Sequence, residues 1–422
     1  MKKNYFLALL LQAFVILGIG QSVNQIVVGN GGIYNNDADH VMVTGINPET
    51  YTSTLIGEVV KESMQDLIVV GDYAYVAAED SLAKFNLITN TKEIAIYHGY
   101  LSRLYYANDM IYVSLRSDAT GVPADGKYLK AFDMNLNLVY EAEGISTDAA
   151  GMLMYEDSLY VAVSGDWAAT EGKLAVTNSD LSFVREINLG TDAVGIIDLF
   201  EGENVIYSVN KSPYGATTGS ISTYNIATTT WNTQSLNHVV GKGVRKVGDL
   251  LYLGLDYGIG SYDLSTSTVV NNQIIADPGS ASYINIAAAV FDEINERFYV
   301  TITDYFSLGE GRVYDIDGTV LGNFEASVSA EAMAIHYANN TGLSTLKNNS
   351  LNIYPNPCQN FIHIGAYQQL NWIEIYNQTG QLIKRIHNPQ SSFIEVNELK
   401  AGIYFIKTQS QSGIHAARFL KK

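Results

Sequence analysis

A two-strand unit recurs six times in this chain, and the distance between copies leaves few folds open. Each copy is an apolar run, a tight polar turn and a tyrosine-bearing strand: LIVVGDYAYVA (67–77), LYYANDMIYVS (104–114), MLMYEDSLYVA (152–162), IDLFEGENVIYSV (197–209), VRKVGDLLYLG (244–254) and AAVFDEINERFYVT (288–301). The GD, ND and ED turns tolerate the dihedrals that join antiparallel strands. The marker tyrosines Tyr75, Tyr112, Tyr160, Tyr207, Tyr252 and Tyr299 are separated by 37 to 48 residues. That period accommodates four short strands.

A second hairpin follows each tyrosine strand, at FNLITNT (85–91), FDMNLN (132–137), TNSDLS (177–182), YNIATTT (224–230), YDLSTST (262–268) and YDIDGT (314–319). A seventh unit is divided between the ends. Residues 25–30, 41–47 and 51–56 read as its second, third and fourth strands, and AMAIHY (332–337) reads as its first. Joining them closes a ring and removes the exposed sheet edges that invite aggregation. The expected fold is all-β: a seven-bladed β-propeller over about 21–340, with six or eight blades as alternatives. A β-helix needs shorter repeats, and separate sandwiches need about 100 residues each. The strand tyrosines are expected in the core between blades.

The ends read differently. Lys2 and Lys3, an apolar run over 6–17 and small residues at Gly18 and Gly20 form a secretory signal over 1–20, with cleavage near Gly20. The sole cysteine, Cys358, excludes a disulfide framework and lies far from where a lipid-anchoring cysteine would stand. Formal charge is −18, from 43 acidic and 25 basic side chains, so nucleic acid is an improbable partner by field alone. Residues 345–422 carry 8 basic and 3 acidic side chains. The propeller is therefore the acidic body, and a linker at 341–350 separates it from a tail at 351–422. Seven short alternating strands in the tail suggest a small Ig-like β-sandwich.

LNIYPNP (351–357), WIEIYNQTGQLIKRI (372–386) and ELKAGIYFIKT (398–408), followed by RFLKK (418–422), resemble the type A C-terminal sorting domain of the type IX secretion system of Bacteroidota. The positions that carry the resemblance are Tyr354, Pro355, Asn356, Pro357, Gly380, Gly402 and Tyr404. The resemblance implies export by the signal, then passage through the outer membrane by the type IX machinery. Release, or attachment to the membrane exterior, then follows. Pro355 and Pro357 fix φ at the entry to the first strand, and Gly402 permits tight backbone before the Tyr404 strand. Cys358 is expected to be a packed, inert thiol. More weakly, the IYVS, LYVA and FYVT strands resemble the YVTN-like surface propellers of that phylum, some of which capture corrinoids.

No GxSxG, HExxH or P-loop is present, and DIDGT (315–319) lacks the later ligands of a calcium loop, so it reads as a hairpin turn. Four propeller histidines, His40, His98, His238 and His336, are too scattered to argue for a metal. No cofactor can be named. Loop length is instead informative. The turns joining strands 1 and 2 are nearly all minimal, whereas the loops joining strands 2 and 3 are long, at 29–40, 116–127, 164–172, 210–219 and 304–311. They carry Tyr34, Trp167, Tyr214, Tyr305 and Phe306 among acids such as Asp118, Asp125, Asp166 and Asp304. Loops on a rigid scaffold commonly bind, and aromatic side chains give contact area at low entropy cost. The connections between blades reach nearest the central channel and contain His98, Tyr100, Asp148, Asp192, His238, Lys242 and Tyr283. The expected function is a secreted or surface-attached, monomeric, non-enzymatic propeller that holds a small molecule, glycan or protein on this face. Alternatives are a metal-dependent hydrolase or lyase, with calcium on Asp148 and Asp192, and a corrinoid-capture protein.

Overall fold

The computed structural model describes residues 22–338, save 34–35, 37–38, 118–124, 167 and 183, and residues 353–422, save 365–369, 378–381, 388 and 411–412. The signal segment with its cleavage point, the linker, Tyr34, Asp118, Trp167 and Gly380 lie outside these. The chain divides into two compact units, 1–339 and 340–422.

Seven four-stranded antiparallel sheets make up the first unit. Blade 1 is closed by the two ends of the unit: its first strand, Ala330–Tyr337, pairs with Val23–Asn30, which continues to Val41–Ile46 and Ser53–Val59. Blades 2 to 7 follow in chain order from the first strands Met64–Val70, Leu101–Ala107, Ala149–Tyr155, Ile196–Gly202, Val240–Val247 and Asn285–Asp292. These seven strands neighbour one another around the central channel. The fold is a seven-bladed β-propeller.

The repeating residues account for the repeating geometry. Asx residues at the ends of six of the third strands, Asn47, Asn86, Asp133, Asn225, Asp263 and Asp315, accept backbone N–H groups of the turn that follows. Asp315 accepts from Asp317 and Thr319, so DIDGT is a hairpin turn. Five marker tyrosines are buried between blades, while Tyr207 is half-buried. Tyr75 donates its hydroxyl to the Met134 carbonyl in the next blade at 2.9 Å, and Tyr112 donates to Ser179 at 2.8 Å. An amphipathic ring thus seals one blade and hydrogen-bonds the next.

His336 secures the closure. It is fully buried; its Nδ1 faces the amide nitrogens of Asn24 (3.2 Å) and Gln25 (3.3 Å), which leaves Nε2 to donate to Asp72 of blade 2 (3.1 Å). One side chain therefore links segments more than 300 residues apart. His336→Ala is expected to cost about 2 kcal/mol, because it leaves two amides and a carboxylate short of partners. Urea unfolding followed by tyrosine fluorescence would measure it, and an unchanged midpoint would refute a closing role.

The second unit has a three-stranded sheet (Ile353–Tyr354, Phe361–Ile364, Phe393–Glu395) and a four-stranded one (Leu370–Asn377, Leu382–His387, Gly402–Ser410, Gly413–Lys421). Ile362, Ile373, Ile375, Ile406 and Phe419 are buried in its core. Cys358 is packed among them, and burial raises its thiol pKa above the usual range, which suppresses the reactive thiolate. No helix among the described residues is long and apolar enough to cross a membrane.

Candidate functional site

In an antiparallel four-strand meander, the loops joining strands 2 and 3 and the connections between blades emerge at the same end. Backbone hydrogen bonds knit them together there. His98 N donates to Asp80 O, Arg116 N to Tyr100 O, Ser164 N to Asp148 O, Lys211 N to Gly195 O, and Asp256 N to Val239 O. This is the long-loop face.

The first strand of every blade is irregular near that face. The pairing slips between Met64 and Asp66, Leu101 and Leu104, Ala149 and Met152, Ile196 and Asp198, Val240 and Gly243, and Ile286 and Ala288, with a matching slip opposite Gly29 and Asn30 in blade 1. A bulge adds a residue to one strand and re-aims its side chain. At or beside these bulges stand Asp66, Arg103, Asp198, Lys242 and Glu331, from blades 2, 3, 5, 6 and 1.

Arg103 is the centre of this set. One guanidinium nitrogen lies 3.6 Å from Asp66 of the preceding blade, and another lies 3.9 Å from Asp198, two blades further on. Each aspartate also accepts a backbone N–H from the following blade, Asp66 from Leu104 (2.8 Å) and Asp198 from Gly243 (2.7 Å). Burial lifts the Asp66 carboxyl above the usual aspartate range despite the pull of Arg103. Burial also works against the Arg103 charge, but Asp198 and Asp66 outweigh it and hold the guanidinium more firmly charged.

First strands begin at the long-loop face, so the residues preceding this layer in each strand lie nearer the mouth. Lys242 and Glu331 occupy those positions. Lys242, flanked by Gly241 and Gly243, has no carboxylate within ion-pair distance among the described residues, and burial together with the nearby Arg103 lowers its pKa to about 8. Glu331 accepts from Ser329 Oγ at 2.6 Å; burial raises its carboxyl, opposed by that bond and by the charges of Lys242 and Arg116. The Arg116 guanidinium carbon lies over the Tyr100 ring, 5.8 Å from its centroid, and its buried Nε has no acceptor among the described residues. Burial, reinforced by Glu331, raises the Tyr305 phenol pKa.

The residues expected from sequence are therefore disposed in three ways. Tyr100, Tyr305 and Lys242 join the mouth cluster. His98, Asp148 and His238 are engaged in the scaffold: His98 packs edge-on to Phe132 at 4.7 Å, Asp148 accepts from the Ser117 amide and hydroxyl, and His238 pairs with Asp256 at 2.7 Å. Tyr214 and Tyr283 are 89% and 81% exposed, and Asp192 is exposed on a short 3-10 turn whose carbonyl accepts from Ser220. No group of three His, Cys, Asp or Glu side chains capable of holding a metal occurs among the described residues. Sequence reasoning missed Asp66, Arg103, Asp198 and Glu331. A signal was present for three of them: Asp66, Arg103 and Asp198 each stand nine residues before the strand tyrosine, inside mainly apolar strands.

Residues 352–422 match the model of the secretion system C-terminal sorting domain. The chain is thus an exported propeller protein whose tail directs it through the type IX machinery to the cell surface or beyond. No curated protein matches the chain. Among solved structures, a Bacteroides fragilis protein provisionally described as a 6-phosphogluconolactonase is 12% identical, covers 75% of this chain and 98% of its own, and superposes with a TM-score of 0.51. That likeness is one of fold. PorZ, a surface component of the type IX secretion system of Porphyromonas gingivalis, is 12% identical with a TM-score of 0.48, and the match covers 95% of this chain and 58% of PorZ. The extracellular domain of a Bacteroides thetaiotaomicron protein provisionally assigned as a one-component system is 10% identical with a TM-score of 0.49, covering 95% of this chain and 59% of its own. This chain thus spans less than two thirds of those two proteins.

Proposed function

We propose that this protein is a non-enzymatic binding propeller of the cell exterior, with its ligand seated at the channel mouth on the long-loop face. The observation that carries the reading is the bulge-mounted set Asp66, Arg103, Asp198, Lys242 and Glu331, which places five charged side chains at the channel with two of them, Lys242 and Glu331, outside the ion-pair trio. Charged groups are withdrawn from water at a cost, and sites where that cost is not recovered by pairing are characteristic of function. Tyr100 and Tyr305 supply apolar contact beside them, and the propeller holds the whole set rigidly.

The test is a thermal-shift screen of the exported chain against calcium, corrinoids, glycans and peptides. A ligand that binds only the folded state raises the melting temperature. One class is expected to do so, and Tyr305→Ser is expected to abolish the shift while Tyr214→Ser, on a separate loop, leaves it intact. No shift with any class would count against the reading.

A further inference from the structure

Donor and acceptor capacity at the channel mouth is unequal. The two carboxylates of the trio are already engaged: Asp66 and Asp198 each accept a backbone N–H and lie within ion-pair distance of Arg103. Glu331 has its own hydroxyl donor in Ser329. The cations nearer the mouth have no such partners among the described residues. Lys242 forms no ion pair or hydrogen bond there, and the buried Nε of Arg116 has no acceptor. An ammonium offers three donors and a guanidinium five, none of them an acceptor. What these two cations can take up is therefore a compact group that accepts hydrogen bonds. The sum of charges limits how negative that group can be. Arg103, Lys242 and Arg116 balance Asp66, Asp198 and Glu331, so the protein's own charges at the site sum to near neutrality, and a second negative charge on a ligand would meet three carboxylates.

Resting on the surface-binding reading above, we propose that the channel mouth is a receptor site for a small molecule bearing a single carboxylate, which is held between Lys242 and Arg116. A planar carboxylate matches the guanidinium fork, and the lysine supplies a point charge from the opposite blade group. The Tyr100 ring lies beneath the Arg116 guanidinium at 5.8 Å and offers it a cation–π contact. Glu331, which feels both cations, disfavours dianions such as phosphate.

Isothermal titration calorimetry of the full exported chain tests this with acid and neutral pairs: acetate and acetamide, lactate and lactamide, glucuronate and glucose, with inorganic phosphate as the dianion. At least one acid is expected to bind while its neutral counterpart binds tenfold or more weakly, and phosphate more weakly than that acid. Lys242→Met and Arg116→Met are each expected to weaken the acid tenfold or more, and Lys242→Arg to restore part of it. Wild-type protein alone gives a second readout. At pH 8 to 9 Lys242, facing Arg103, Glu331, Asp198 and Asp66, is partly neutral, so binding should take up a proton, and the apparent heat should vary with the ionisation enthalpy of the buffer. Tighter binding of phosphate, equal binding of a neutral counterpart, or binding unchanged in both variants would overturn the carboxylate assignment while leaving a surface-binding role intact. Absence of binding by these probes and by every class in the thermal-shift screen would overturn both.

Discussion

Arg103→Met is expected to destabilise the propeller by about 3 kcal/mol, a larger loss than its modest burial of hydrophobic surface would suggest. Removing one partner of a buried ion pair leaves the other charge desolvated and uncompensated, at a cost of roughly 3–5 kcal/mol, and here one cation serves two carboxylates. The lower end applies because Asp66 and Arg103 each keep 17% of their side-chain surface exposed. The distinctive readout is pH. Burial already raises the Asp66 carboxyl with Arg103 in place; without the arginine it rises further. An acid whose folded-state pKa lies above its unfolded value makes the folded state bind more protons, so stability falls as pH rises above about 4 and recovers on acidification. The variant should therefore gain on wild type between pH 7 and pH 5 in urea titrations. A penalty independent of pH would mean that Arg103 acts by packing alone. Arg103→Met combined with Asp66→Asn should cost less than the sum of the two, since the pair is coupled.

The same trio explains what could be read from the sequence and what could not. Blade number, ring closure and the two-layered tail are consequences of local rules: alternation, Asx turns and the 37 to 48 residue period each act over a few residues, so the sequence displays them directly. The long-loop face could be picked out too, because loop length is a local quantity. Which charged residue reaches the channel is set by a bulge, and a bulge appears only when the pairing of two strands is known. Asp66, Arg103 and Asp198 looked like isolated charges in apolar strands, and only the shared offset from the strand tyrosine hinted that they meet. Conversely, His98 and His238 stood out by residue type, yet their ring contacts are with Phe132 and Asp256 of the scaffold. Residue chemistry singles out candidates; packing decides which of them are left with unused donors.

Lys242 illustrates that last step, and its replacement is expected to act in the opposite direction to that of Arg103. Lys242→Met should stabilise the ligand-free protein by about 3 kcal/mol at pH 7, a figure that follows from a folded-state pKa of about 8 against an ordinary 10.5, at 1.36 kcal/mol per unit. Burial, followed by the repulsion of Arg103, is responsible for the depression, and Glu331, Asp198 and Asp66 only partly offset it. Below pH 8 both folded and unfolded chains carry the proton, so the cost is present in full. Between about pH 8 and 10.5 the unfolded chain binds more protons than the folded one, so wild-type stability should rise with pH across that window. The methionine variant should show no such rise from this position, and the two curves should converge by about pH 10.5. Methionine matches the apolar stem of lysine and adapts its shape, so the comparison isolates the charge. A residue that costs the empty protein stability and whose loss abolishes ligand binding would be retained for binding. Equal or lower stability of the variant throughout the range would show instead that the ammonium is compensated within the protein, and Lys242 would then not mark an anion position.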